Sequence, residues 1–172
     1  MKRKITITLI IIVCFLLQTT LFKALSFASI SPNLLIVIVS SFGFMRGKKE
    51  GLVIGFCCGL LMDIFYGNIL GFYALIYMYI GYCNGFFRKI FYPEEIKLPM
   101  LLISVSDLSC NLLIYFFLFL FRKRFDFIYY LWHIMIPEFV YTILITVVLY
   151  FSLLKINQKL EKAEKRSAAK FV

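Results

Sequence analysis

The chain has 172 residues, a formal net charge of +10 and 62% hydrophobic residues, against about 45–50% apolar residues in a soluble domain. Water cannot solvate that excess, so the composition excludes an ordinary soluble enzyme and requires a lipid phase. The basic residues sit in short clusters between apolar runs. That pattern reads as membrane topology and contact with anionic phospholipid, not as a nucleic-acid surface.

Six apolar runs follow one another at 5–22, 31–45, 50–66, 70–87, 98–121 and 127–154, and a basic tail occupies 155–172. They predict an all-α membrane protein, a bundle of six transmembrane helices. The first run follows Lys2, Arg3 and Lys4 and is long enough to span, so it is read as a retained helix and not a cleaved signal, despite small residues at 24–29. The second opens at Ser31, Pro32 and Asn33, a helix-start signal. Its uninterrupted apolar part, 34–45, covers only about 18 Å of a hydrocarbon core about 30 Å thick. Charge decides that it crosses. With six crossings, 15 of the 19 basic residues fall on the side of the N-terminus. Without this crossing the balance reverses, against the positive-inside rule. Both termini are therefore expected in the cytoplasm.

The third run carries Gly47, Gly51, Gly55 and Gly59 at every fourth position, then Asp63 in the same register. Lipid provides no hydrophobic drive for helix association, and a glycine row lets backbones approach closely. The row packs either inside the bundle or against another protein. Gly81 and Gly85 on the fourth run repeat the spacing and are a candidate partner. Gly67 and Asn68 read as the turn between these runs, and Pro93 and Pro99 bracket a polar loop.

The fifth and sixth runs each hold one acid, Asp107 and Glu138. An ionised carboxylate at mid-bilayer costs at least a few kcal/mol, so each is expected inside the bundle. Asn111, one turn from Asp107, is a hydrogen-bond candidate for it. The acids either are neutral and staple helices together or line a polar cavity for a cation or proton. Pro137 leaves the carbonyl of His133 without its helical donor and is expected to kink the helix. His133 itself lies beside Tyr129, Tyr130 and Trp132, an interfacial aromatic belt. The basic triplet Arg122, Lys123 and Arg124 is expected on the outer side. The tail reads as an extension of the last helix, with Glu161 and Lys165 as an i,i+4 pair.

Cys14, Cys57, Cys58, Cys83 and Cys110 lie inside apolar runs with no metal-ligand spacing and read as small hydrophobes. No nucleotide-binding or hydrolase motif is present, so the chain is not expected to be an enzyme or to hold a cofactor.

Several segments carry a family resemblance. They are Pro32-Asn33-Leu34-Leu35, Arg46-Gly47 with Glu50-Gly51, Gly55-Phe56 through Gly59-Leu60-Leu61-Met62-Asp63, and Gly71-Phe72-Tyr73-Ala74-Leu75. With Leu16, Gln18, Thr19 and Thr20, they resemble the rod shape-determining protein MreD family. The resemblance implies a non-enzymatic scaffold of the cell-wall elongation machinery in the bacterial inner membrane. Its implied partner is an MreC-type protein, and through it MreB and a RodA–penicillin-binding-protein synthase. It implies a fold similar to the substrate-binding component of energy-coupling-factor transporters. It also adds Gly71 to the helix-packing or partner candidates Gly47, Gly51, Gly55, Gly59 and Asp63. The chain departs from the family after the sixth-helix proline, where Tyr141 and the acid Glu138 stand. A second reading follows from the implied fold: a binding subunit of a vitamin transporter, its pocket drawn from Asp63, Asn68, Asp107, Asn111 and His133.

Overall fold

The computed structural model describes residues 2–21, 31–67, 69–90, 92, 96–122 and 127–168; at 2, 21, 118–122, 127 and 164–168 the backbone alone is described. The described residues form helices joined by short turns, with no strand among them. Helix α1 (Lys2–Leu16) continues into a π-helical turn, Leu17–Leu21. Helices α2 (Leu34–Arg46) and α3 (Lys48–Tyr66) meet at Gly47, and α4 (Phe72–Asn84) ends in a 3-10 turn, Gly85–Ile90. Helix α5 (Lys97–Arg122) is followed by α6 (Phe127–Tyr130), a π-helical turn at Leu131–Met135, and α7 (Ile136–Ala168). Lys23, residues 24–29, Asn68, Pro93, Lys123, Arg124 and Lys170, all singled out in the sequence, lie outside the described residues.

Among the described residues, three helical segments are long and apolar enough to cross a membrane: Arg3–Thr20, Lys97–Phe117 and Ile128–Ala163. The other helices fall short for separate reasons. Helix α3 carries Lys48, Lys49, Glu50 and Asp63, α4 has 13 residues, and α2 is apolar but also has only 13.

Helix α2 is the centre of the bundle. All 13 of its residues are buried, and Leu35 through Ser40 have 0% exposure. A helix that is apolar on every side is one enclosed on every side. Its neighbours are α1, α3, α4, α5 and α7. The brevity that set this run apart in the sequence follows from its position, because it meets protein instead of lipid.

The tightest pair is α3 with α4, an antiparallel hairpin clasped through glycine. A Cβ added at Gly51 would strike the Gly81 carbonyl, and one at Gly81 the Gly51 carbonyl. At Gly55 it would strike the Tyr77 carbonyl, at Gly59 the backbone of Tyr73 and Ala74, and at Gly85 the backbone of Lys48. Helix α2 joins the clasp at Gly43, whose added Cβ would sit 2.6 Å from the same Gly81 oxygen. Backbones this close gain dispersion contact along their whole length, which in lipid replaces the missing hydrophobic drive. The glycine row therefore faces α4, inside the chain.

Charged groups collect at one end of the bundle. Arg3 pairs with Glu50 at 3.1 Å, and Arg46 Nε donates to Asn157 Oδ1 at 2.5 Å. Asn157 Nδ2 donates in turn to Glu161 at 3.1 Å, and Lys48 Nζ lies 3.4 Å above the Phe86 ring. The basic clusters of the N-terminus, the α2–α3 corner and the α4 end thus share one end, with α7 running on beyond it.

The clasp makes a graded prediction. Gly55→Ala places a methyl group against backbone that cannot turn aside and should cost about 2 kcal/mol. Gly71→Ala meets nothing within 4 Å and pays only for its φ of +98°, about 1 kcal/mol. Reversible unfolding in mixed micelles measures both. A neutral Gly55→Ala would mean that α3 and α4 are not in backbone contact.

Candidate functional site

At the end of the bundle opposite the basic clusters, Asp63 joins the two arms of the hairpin. It stands in the last turn of α3 with 2% exposure. Its carboxylate accepts from the backbone N–H groups of Gly71 (3.0 Å), Tyr73 (2.8 Å) and Ala74 (2.9 Å). The first N–H groups of any helix lack an internal partner and carry the positive end of its dipole. Asp63 supplies both the acceptors and the opposite charge, and so acts as the cap of a helix other than its own. Gly71 permits the approach by adopting the left-handed conformation, and Gly67 N–H closes α3 on the carbonyls of Met62 and Asp63.

The start of α2 is tied at the same end. Asn33 Oδ1 caps the Ile36 N–H at 3.2 Å and accepts the Tyr77 hydroxyl at 2.9 Å. Asn33 N–H donates to Thr142 Oγ1 on α7, and Leu35 N–H to Gln18 Oε1 in the first π-helical turn. One asparagine thus links α2, α4 and α7. On α4, Asn84 Nδ2 donates to Ser106 Oγ on α5 at 2.7 Å. None of these bridges was singled out in the sequence. A buried amide or hydroxyl within an apolar run is the signal that marks them.

These elements enclose a cavity of about 640 Å³. Gln18 and Asn33 line it, with Tyr73 and Tyr77 of α4, Asn111 of α5, Tyr129 and Tyr130 of α6, His133, and Glu138 of α7. Both π-helical turns border it. Such turns rotate side chains out of the α-helical register and recur at functional sites. The second is where the helix accommodates Pro137, since the Ile136 N–H bonds to the Leu131 carbonyl five residues back. His133 stacks on Tyr129 with ring centroids 4.2 Å apart, and Trp132 is exposed.

The predicted site residues therefore divide. Gly51, Gly55 and Gly59 face α4, and Gly47 forms the α2–α3 corner at φ +99° beside Arg88. Asp63 is committed to its cap, so it does not line the cavity. Asn111, His133 and Glu138 do. Asp107 is fully buried, and neither of its oxygens has a hydrogen-bond partner among the described residues. The expected bond from Asn111 to Asp107 is not made; the Asn111 side chain instead meets the Glu138 carboxyl on α7. That contact joins α5 to α7, while amides and hydroxyls tie the other helices. Cys14, Cys58 and Cys110 are buried, Cys57 and Cys83 are exposed, and all are free thiols. No group of His, Cys, Asp or Glu suited to a metal ion occurs among the described residues.

The family model for rod shape-determining protein MreD matches residues 1–160. The chain belongs to the MreD family. Membership carries a role in determining rod shape and a place in the membrane. No curated protein and no solved structure matches the chain. The likeness to a transporter component therefore rests on the family resemblance alone.

The cap predicts an order of variants. Asp63→Ala leaves three N–H groups without acceptors in an apolar setting and should cost about 3 kcal/mol or more. Asp63→Asn keeps an acceptor and loses the charge, so it should cost about half as much. Amide exchange at Tyr73 and Ala74 should accelerate in both, more so in the alanine variant. Unchanged exchange at these amides would show that another group caps α4.

Proposed function

We propose that this MreD-family chain is a non-enzymatic membrane scaffold of the cell-wall elongation machinery, acting by binding an MreC-type partner. The family match over residues 1–160 is the observation that carries this reading. Through that partner the scaffold serves MreB and the RodA–penicillin-binding-protein synthase. Six rods cross the bacterial inner membrane, with both termini and the basic tail of α7 in the cytoplasm. The clustering of Arg3, Arg46, Lys48 and Arg88 contacts at one end supports that orientation, as does the positive-inside rule. The tail, with Lys155, Lys159 and Lys162, lies against anionic phospholipid.

The docking surface is one of the outward apolar faces, not the glycine row, which is consumed inside the hairpin. Outward residues such as Val53, Phe56 and Ile64 on α3, and Leu144 and Val148 on α7, are exposed. A hairpin stiffened by backbone contact presents such a face with little loss of conformational freedom on binding.

Affinity purification of the tagged full chain from membranes should recover the MreC-type protein, and depletion of the chain should turn rods into spheres. Recovery should survive Cys57→Ser, a change on the exposed side of α3, and fail with Gly55→Leu, which breaks the hairpin. Absence of the partner from the purified complex, together with unchanged cell shape on depletion, would refute the scaffold.

A further inference from the structure

The cavity at the Asp63 end has a lining with its own chemistry, independent of any partner protein. Glu138 is the carboxylate on its wall, and no lysine or arginine is among the described residues that line it. Asp107 lies close enough for the two carboxylates to feel each other's charge. An anionic ligand would be repelled. A neutral one would bring no positive charge to a carboxylate whose side-chain neighbour, Asn111, is an uncharged amide.

The remaining walls suit a cation. Tyr73, Tyr77, Tyr129 and Tyr130 contribute aromatic rings from two sides. Tyr73 and Tyr77 stand nearly perpendicular, at 87° with centroids 6.5 Å apart. Aromatic side chains gathered around a carboxylate suit an alkylammonium group, which the ring quadrupoles attract. Beside the carboxylate, Asn111 has 3% exposure and meets Glu138 as a hydrogen-bond donor, which holds the carboxyl at the cavity wall. The volume of about 640 Å³ exceeds what a bare ammonium fills and falls within the range of small-molecule pockets, roughly 300–1,000 Å³.

We propose that this cavity binds an organic ammonium group, with Glu138 as counter-ion and the tyrosines as its aromatic walls. The amine comes either from a phosphatidylethanolamine headgroup or from a soluble amine, which share this chemistry.

The test uses the purified full chain without any partner, so its outcome is separate from that of the scaffold reading. In the soluble arm, the chain sits in nanodiscs of phosphatidylglycerol alone, and thermal stability is read against tyramine and against tyrosol, its neutral hydroxyl isostere. In the lipid arm, native mass spectrometry compares retention of phosphatidylethanolamine and phosphatidylglycerol from mixed nanodiscs. At least one arm should show a tenfold or greater preference for the amine. Tyramine preference alone assigns a soluble ligand, and phosphatidylethanolamine retention alone assigns the lipid. Glu138→Gln should weaken binding at least tenfold, and Tyr129→Leu, at an exposed position, about threefold. Equal binding of tyrosol and tyramine with no lipid preference overturns the proposal, as does no amine binding in either arm. If Glu138→Gln does not fold, the wild-type isostere comparison and Tyr129→Leu decide.

Discussion

The fold depends on two helices touching through their backbones. Gly51, Gly55 and Gly59 bring α3 against α4 with no side chain between them. Such contact is sensitive to axial register, because a shift of one residue replaces a glycine with a bulky neighbour. Asp63 fixes that register at the open end of the hairpin. Three N–H groups at the start of α4, those of Gly71, Tyr73 and Ala74, converge on one carboxylate of α3, and they can do so at only one relative height. The glycines supply proximity and the aspartate supplies alignment.

The rest of the bundle is arranged around that hairpin. Helix α2 lies against it at Gly43 and is then enclosed by α1, α5 and α7. Because its sides are all protein, apolar residues fill every position, and the polar groups of its first turn need partners from elsewhere. Asn33, Gln18, Thr142 and Tyr77 provide them. Tying down that first turn also leaves a space beneath the two π-helical turns, and that space is the cavity. The capping end and the cavity end are the same end for this reason.

The two acids on α5 and α7 differ from Asp63 in the use made of them. Asp63 is satisfied by backbone donors and supports the fold. Asp107 has no partner among the described residues, and Glu138 opens onto the cavity. A chain that only needed to pack would replace both with apolar residues at lower cost. Asp63 thus supports the fold at the end of α3, while Glu138 stands on the cavity wall.

The sequence by itself determined the helical class, the six runs, the glycine spacing and the buried acids. These follow from local rules: apolar length, a four-residue period, and the cost of charge in lipid. It also carried the family, since the separate segments between Leu16 and Leu75 keep a distinctive order and spacing. The tertiary structure decided which way the glycine row faces, because a stripe shows that something approaches and does not say whose backbone it is. It decided that α2 is central, since a short apolar run looks the same whether lipid or protein surrounds it. It decided that Asp63 serves a helix cap while Glu138 faces a cavity, because a carboxylate takes its role from the donors around it. Those donors come from the start of α4 for Asp63 and from α5 for Glu138, brought together only when the helices pack.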